Sequence, residues 1–479
     1  MTVCGAPRRV GVLEPDEKMK RIALVLFAIP CLTQGIAAQG TPVALASMRD
    51  TVKRVSIDSD TSFHPIDLQH AVQLAQRNAP SAVQARGQIK VANAEVRQAY
   101  AAFLPNASIT AGQTSQSGDR LGPGGGIIAY KSPHPWSYST GLRASVRVFD
   151  GGQRFFQISQ SKADVNSAEA NDVAQQFNLS LQVKTQYYAI LAARESEIAA
   201  LAQLDQAQAD QQAASARVRA GAATLSDSLR TVIEVGNARL ALLTAQNSLR
   251  IASAALTRLV AAPYLVTAAQ ETDTLEQPIV PIDSAALVHL AQRGPAVNQA
   301  SAQLVATRAA VRSAQTVYLP TLDLSFSRGG SGYAPYGTGG SLDTTRLYPY
   351  ANTFSFSFSY PLFNNYQREF ALNTAKVAQV NADATLRDAR LAAQQNLVQQ
   401  LASLRAAQER IQIQQASIAS AEEDLRVQQQ RYALGASTLL DLLTSQTTLN
   451  QQRAALIQAR QDYRIARAQI EAVIGRDLQ

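Results

Sequence analysis

Four segments of the chain alternate apolar and polar residues with a period of two. In the clearest one, from Phe354 to Tyr360, aromatic residues occupy every second position and serines stand between them. This period predicts β-strands that form a sheet with one apolar face and one polar face. We place the strands at about 106–117, 136–149, 321–328 and 353–363.

The length of these strands favours a membrane over an aqueous setting. Segments of about ten alternating residues are typical of transmembrane β-strands, and the expected loops at 118–135 and 328–350 are rich in glycine, proline and tyrosine. No stretch of about 18 apolar residues follows the leader, so any crossing by the mature chain would be β. The alternative is a soluble sheet that lies on the helices.

The alternation assigns each strand residue to one of two faces. We assign these apolar positions to lipid: Trp136, Tyr138, Leu142, Phe354, Phe356, Phe358 and Tyr360. We assign Arg143, Arg147 and Asp323 to the opposite, lumen-facing side, where ordinary polar filling of a wet surface is the other interpretation.

Two longer segments, 152–220 and 366–434, lack proline and internal glycine and therefore predict long helices. Apolar residues recur along them at the spacing of a coiled-coil seam. At about 1.5 Å per residue, each helix would be on the order of 100 Å long. Gly221 and Gly435 end these helices, and a second helix returns from each glycine.

A shorter helix is expected before each pair of strands. It runs from about Asp67 to Ala102 in the first half and from Asp283 to Val317 in the second. Aspartate is a favourable N-cap, and a Leu-Pro pair stops each helix because proline cannot continue it.

The chain contains this plan twice. The hairpin-turn residues Arg217, Gly221, Thr224 and Asp227 return 214 positions later as Arg431, Gly435, Thr438 and Asp441. A duplication of this length makes each half a copy of one architecture. The predicted divisions are a leader at 1–38, a mature N-terminal segment at 39–65, a first repeat at 66–262 with its hairpin at 152–262, a linker at 263–281, a second repeat at 282–475 with its hairpin at 366–475, and a tail at 476–479.

The leader predicts export. Basic residues after Met19, which we take as the start, precede a short apolar run and the small-residue cleavage site Ile36-Ala37-Ala38. Both cysteines, Cys4 and Cys31, lie in the leader, so the stability of the mature chain does not rest on disulfides.

Composition narrows the function classes. The formal net charge is +8, but the basic residues are scattered singly, which argues against nucleic-acid binding. The four histidines share no spacing, and the sequence contains no catalytic constellation, cofactor motif or metal-ligand cluster. The sequence therefore predicts a protein that is not an enzyme and needs no cofactor.

Four strands cannot close a barrel, and open sheet edges are not tolerated in lipid. The smallest membrane barrels have about 8 strands, so the chain must combine with further copies if its strands lie in the membrane. Oligomerisation thus follows from the strand count.

At this point the sequence resembles the TolC-type outer-membrane factor family, over about residues 66–475. The resemblance rests on the Leu-Pro strand entries, on Pro361-Leu362-Phe363-Asn364 with a weaker echo at 148–152, and on the paired Arg-x-x-x-Gly-x-x-Thr-Leu-x-Asp turns. It implies a homotrimer with a transmembrane twelve-stranded β-barrel and a periplasmic α-helical tunnel. It also implies a periplasmic adaptor and an inner-membrane transporter as partners, and outer-membrane lipid around the barrel.

The resemblance places the hairpin turns at a periplasmic gate. It implies that Asp441 forms an acidic ring, that Tyr432 and Asp227 belong to links that hold the helices shut, and that the adaptor docks at the turns, which carry Arg217, Gly221, Arg431 and Gly435. Thr444 and Ser437 depart from the family pattern, in which an acidic residue and an arginine often stand there. Helix capping is the other interpretation of Asp227 and Asp441.

The predicted function is therefore a passive outer-membrane exit channel for an efflux or type I secretion system. Two alternatives stay open, a periplasmic adaptor and a structural coiled-coil protein. An adaptor normally carries one hairpin within a small β-domain, whereas this sequence predicts two hairpins.

Overall fold

The structure, a computed structural model, describes residues 63–115, 118–121, 127–130, 136–269, 284–333 and 350–478. Its helices, α1 to α8, are Leu68–Asn78, Pro80–Ala101, Gln153–Arg219, Leu225–Val260, Ser284–Ala291, Pro295–Gln315, Gln367–Ala433 and Leu439–Ile474. Its strands, β1 to β8, are His64–Ile66, Asn106–Ser115, Gly118–Leu121, Ile127–Tyr130, Trp136–Phe149, Val266–Ala268, Thr321–Tyr333 and Ala351–Ser359. The leader predicted at 1–38, with its start at Met19, lies outside the described residues.

Two long helical hairpins dominate the chain, as predicted. α3 and α7 have 67 residues each, which corresponds to about 100 Å, and α4 and α8 return antiparallel to them. α3 packs on α4 and α7 on α8, while α3 also contacts α6 and α8, so the two repeats share an interface. Among the described residues, no helix is long and apolar enough to cross a membrane.

The shorter helices differ from the prediction, because each is broken in two. Ala79 has an extended ψ of 138° before Pro80, which separates α1 from α2; a residue before proline is driven out of the helical region. Gly294 and Pro295 separate α5 from α6 in the same way. A Cβ on Gly294 would lie 2.2 Å from the Val473 carbonyl oxygen, so this break also lets α6 meet the end of α8.

One antiparallel sheet contains β2, β5, β7 and β8 in that order. β2 and β5 belong to the first repeat and β7 and β8 to the second, so the β5–β7 pair joins the repeats. The pairing puts Leu324 opposite Val146 on one side and opposite Phe356 on the other. Because directly opposed residues share a face, apolar rows run across the sheet.

Strand limits differ from the prediction near the expected loops. β7 continues to Tyr333, beyond its predicted end at 328, and β8 ends at Ser359, ahead of Pro361, whose missing N–H cannot join a ladder. Within the loop expected at 118–135, β3 and β4 pair as a short hairpin. The rest of the loop expected at 328–350, residues 334–349, lies outside the described residues.

The largest apolar core lies where α3 passes a small parallel sheet. β1 pairs with β6, which stands inside the predicted linker. Tyr187 of α3 is fully buried in this core, and its hydroxyl lies 3.3 Å from the carbonyl oxygens of Ile66 and Ala269. A polar contact nearby ties the repeats together, since Lys184 Nζ lies 2.6 Å from Glu471 Oε2 of α8.

Candidate gate and sheet faces

The first hairpin turn is built from a glycine and a helix cap. Gly221 has a φ of +72°, which glycine adopts without strain. Thr224 then caps α4: its hydroxyl accepts from the Asp227 amide at 3.3 Å, while Asp227 Oδ2 accepts from the Thr224 amide at 3.2 Å. This reciprocal arrangement satisfies two backbone donors at the helix start.

The second turn repeats this chemistry. Gly435 has a φ of +73°, and Thr438 and Asp441 form the same reciprocal cap at 3.2 and 3.0 Å. Asp227 and Asp441 therefore both cap helices. In this single chain each carboxylate already has a local structural role as a helix cap. Formation of an acidic ring would be a second role for Asp441.

Asp441 has more hydrogen-bond donors than Asp227. Its Oδ2 also lies 3.3 Å from the Ser437 hydroxyl, which in turn lies 2.9 Å from Gln428 Oε1. The Thr438 hydroxyl and amide, then the Ser437 hydroxyl and the charge of Arg431, hold the pKa of Asp441 below its usual value. The carboxylate is therefore ionised at neutral pH.

A contact between the two turns was not predicted from the sequence. The Arg217 guanidinium lies over the Tyr432 ring, with its Cζ 4.4 Å from the ring centroid, and Arg217 Nη1 donates to the Tyr432 carbonyl oxygen at 3.1 Å. We call this pair of contacts the Arg217–Tyr432 clasp. Among the described residues, the structure gives no hydrogen bond between Tyr432 and Asp227.

Further polar contacts join the helices just beyond the turns. Gln446 Nε2 of α8 donates to Asp210 Oδ2 of α3 at 2.7 Å, and the Ser445 hydroxyl donates to Asp424 Oδ2 of α7 at 2.5 Å. Thr444 instead donates to the Leu440 carbonyl oxygen of its own helix. Sequence reasoning missed Asp210 and Asp424 because their partners lie far along the chain and carry no spacing signal.

The sheet register sorts the predicted strand residues into two sets. One face, defined by the cross-strand pairs, carries five of the predicted lipid-facing residues: Tyr138, Leu142, Phe354, Phe356 and Phe358. The other two lie at strand limits, since Trp136 begins β5 and Tyr360 follows β8. Arg143, Arg147 and Asp323 occupy the alternate positions on the other face. Arg147 Nε lies 2.9 Å from Asp323 Oδ1, which confirms that these two share a face.

The exposure of side chains on the apolar face differs between strands of this chain. Phe354 is 75% exposed, whereas Tyr138 is only 7% exposed. A row of exposed aromatic side chains such as that of edge strand β8 marks a surface that contacts another molecule or a membrane.

Comparisons with known proteins agree with this architecture. The family described as "Outer membrane efflux protein" matches residues 71–262 and 286–476, one range in each repeat. The chain is 28% identical over 389 residues to "Protein CyaE" of Bordetella pertussis, covering 79% of this chain and 78% of that protein. It is 26% identical to the "Pyoverdine export outer membrane protein OpmQ" of Pseudomonas aeruginosa, with 83% of each chain covered.

The fold is similar to that of solved outer-membrane channels. The CmeC channel of Campylobacter jejuni matches with a TM-score of 0.70 at 18% identity, covering 93% of this chain and 94% of CmeC. The family match over both repeats favours a channel over the periplasmic adaptor and the structural coiled-coil protein. The chain belongs to the outer membrane efflux protein family.

Proposed function

We propose that three copies of this outer-membrane exit channel close into a twelve-stranded β-barrel, with the helical hairpins forming a periplasmic tunnel. The observation that carries the proposal is the four-stranded sheet, whose edges, β2 and β8, are unpaired in the described part of the chain. Open edges are not tolerated in lipid. Pairing β8 of one copy with β2 of the next removes them.

An apolar stripe on α4 supports assembly along the tunnel. Residues on one side of this helix are exposed in the single chain although they are large and hydrophobic: Leu225, Leu229, Val232, Leu240, Leu243 and Ile251. Their spacing follows a helical period. A neighbouring copy would bury this stripe from the hairpin turn upward.

The hairpin turns are the proposed gate. The Arg217–Tyr432 clasp joins the two turns of one chain, and Asp441 supplies a carboxylate whose threefold repetition favours cations in a narrow pore. We place adaptor docking at the turns that carry Gly221 and Gly435. Cargo, a solute or a polypeptide, would come from an inner-membrane transporter, and conduction through the channel would be passive.

The mass of the assembly tests this proposal. The mature protein, extracted from outer membranes in mild detergent, should have the native mass of a trimer and should form conducting pores in planar bilayers. A monomer, or a trimer without conductance, would contradict the channel.

A matched pair of arginine substitutions tests the sheet faces. Phe356→Arg places a charge on the proposed lipid face, which costs about 2–4 kcal/mol near the midplane, and should prevent insertion. Ser357→Arg, on the face of Asp323, should insert normally. Insertion of the first variant and failure of the second would reverse the assignment of the faces.

A further inference from the structure

One charged residue lies on the apolar face of the sheet. Arg328 is part of β7, two positions after Phe326, and is paired with Leu142 on one side and Asn352 on the other. Side chains alternate along a strand, so Arg328 shares the face of Phe326 and Phe354. It stands inside the strand, at the position where the sequence predicts the end of the strand and the start of a loop.

Its surroundings differ from those of the arginine on the opposite face. Arg147 is paired with Asp323 at 2.9 Å. The guanidinium of exposed Arg328 instead lies over an aromatic ring, with its Cζ 5.5 Å from the ring centroid of Tyr350. Within the described part of the chain, no ion pair neutralises Arg328.

The height of Arg328 in the membrane follows from the strand geometry. α7 begins soon after β8, so the Tyr360 end of the sheet is the periplasmic end. From Tyr360 to Asn352, which is level with Arg328, the chain rises about 27 Å along the strand and about 20 Å along the membrane normal at a typical tilt. The apolar band of such barrels is about 25 Å tall. Arg328 therefore lies near the outer boundary, which its long side chain can reach by snorkelling.

A permanent cation at this height is suited to a phosphate group. Guanidinium N–H groups form a planar fork that binds phosphate in a bidentate manner. Because the Tyr350 ring lies against the face of the guanidinium, the N–H groups at the edge of the guanidinium remain available to a ligand. The side-chain amide of Asn352, the residue paired with Arg328, offers further donors. On the proposed lipid face, we infer that Arg328, with Tyr350 and Asn352, binds a phosphate of an outer-leaflet lipid headgroup.

Native mass spectrometry of the detergent-solubilised mature trimer tests this inference. The probes are lipid A with both phosphates, the same lipid after removal of its phosphates, and inorganic phosphate alone. Wild-type protein should retain phosphorylated lipid A in preference to the dephosphorylated form. Arg328→Gln should weaken this binding on the order of tenfold, because a charged hydrogen-bonded contact is lost. Arg328→Lys should retain part of it.

Arg143→Gln is the matched control, because Arg143 is on the opposite face of the neighbouring strand. It should leave lipid binding unchanged. Equal binding of phosphorylated lipid by Arg328→Gln and wild type would overturn the inference, as would equal wild-type binding of both lipids or full competition by inorganic phosphate. A trimer would still be seen in these cases, so the proposed channel would stand. Absence of a wild-type trimer would overturn both.

Discussion

The two hairpin turns have the same helix cap but different neighbours. Each has a glycine with positive φ and a Thr–Asp capping box. At the second turn Ser437 adds a contact to Asp441, whereas Ala223 stands at the corresponding position of the first. Leu439 is 4% exposed and its counterpart Leu225 is 67% exposed.

This difference separates what a hairpin turn requires from what an assembly requires. The glycine and the cap are needed to reverse the chain, so both repeats keep them. Leu439 of the second turn is buried within its own chain, whereas its counterpart Leu225 in the first turn is not. We therefore expect Leu225 to acquire its apolar partner from a neighbouring copy.

The largest effect should come from truncating the two leucines. Leu439→Ala removes a buried side chain and should cost about 2–4 kcal/mol in the folded chain, whereas Leu225→Ala should cost under about 0.5 kcal/mol there. Hydrogen exchange of the turn amides in the detergent-dissociated monomer would measure both. Leu225→Ala should instead lower trimer recovery. If both substitutions accelerated exchange of their turn amides equally, the proposed difference between the two turns would be contradicted.

A smaller effect is expected from breaking the Arg217–Tyr432 clasp. Arg217→Ala removes a cation–π contact and a hydrogen bond, together worth about 2 kcal/mol, and should raise the frequency of open events in single-channel recordings. Arg431→Ala is the matched control, because Val218, not an aromatic residue, stands at the position that corresponds to Tyr432.

If Arg431→Ala opened the channel as often as Arg217→Ala, the clasp would not be what distinguishes the turns. Tyr432→Phe should leave opening nearly unchanged, since the contacts of Arg217 are with the ring and the backbone carbonyl.

The sequence predicts the parts of this fold that are encoded locally. Alternation placed the β5, β7 and β8 residues on the correct strands, and the spacing of Gly221 and Gly435 located the turns. The breaks at Ala79 and Gly294 were missed because the apolar pattern continues across Pro80 and Pro295. Contacts between distant segments, such as Arg217 with Tyr432, depend on how the hairpins pack, which no local pattern records.

The turn glycines offer a test in which the two repeats should agree. At both Gly221 and Gly435 a Cβ would meet no described heavy atom within 4 Å, so only the positive φ opposes alanine. Gly221→Ala and Gly435→Ala should each cost about 1 kcal/mol. Thermal unfolding followed by circular dichroism should show similar shifts, and unequal shifts would show that one turn has a further constraint.

The smallest energetic effect, and the most specific one, concerns Asp441. Its pKa is held below its usual value, about 3.9 in unfolded chains. The folded carboxylate therefore keeps its charge down to about pH 4, and the stability it contributes is present above the unfolded pKa and is lost as pH falls through the lower folded pKa. Cation selectivity, measured as the reversal potential in asymmetric salt, should persist from neutral pH down to about pH 4. Asp441→Asn should lower the cation selectivity throughout that range, and Asp227→Asn should lower the selectivity less. An unchanged reversal potential in Asp441→Asn would show that this carboxylate caps α8 and does not determine cation selectivity.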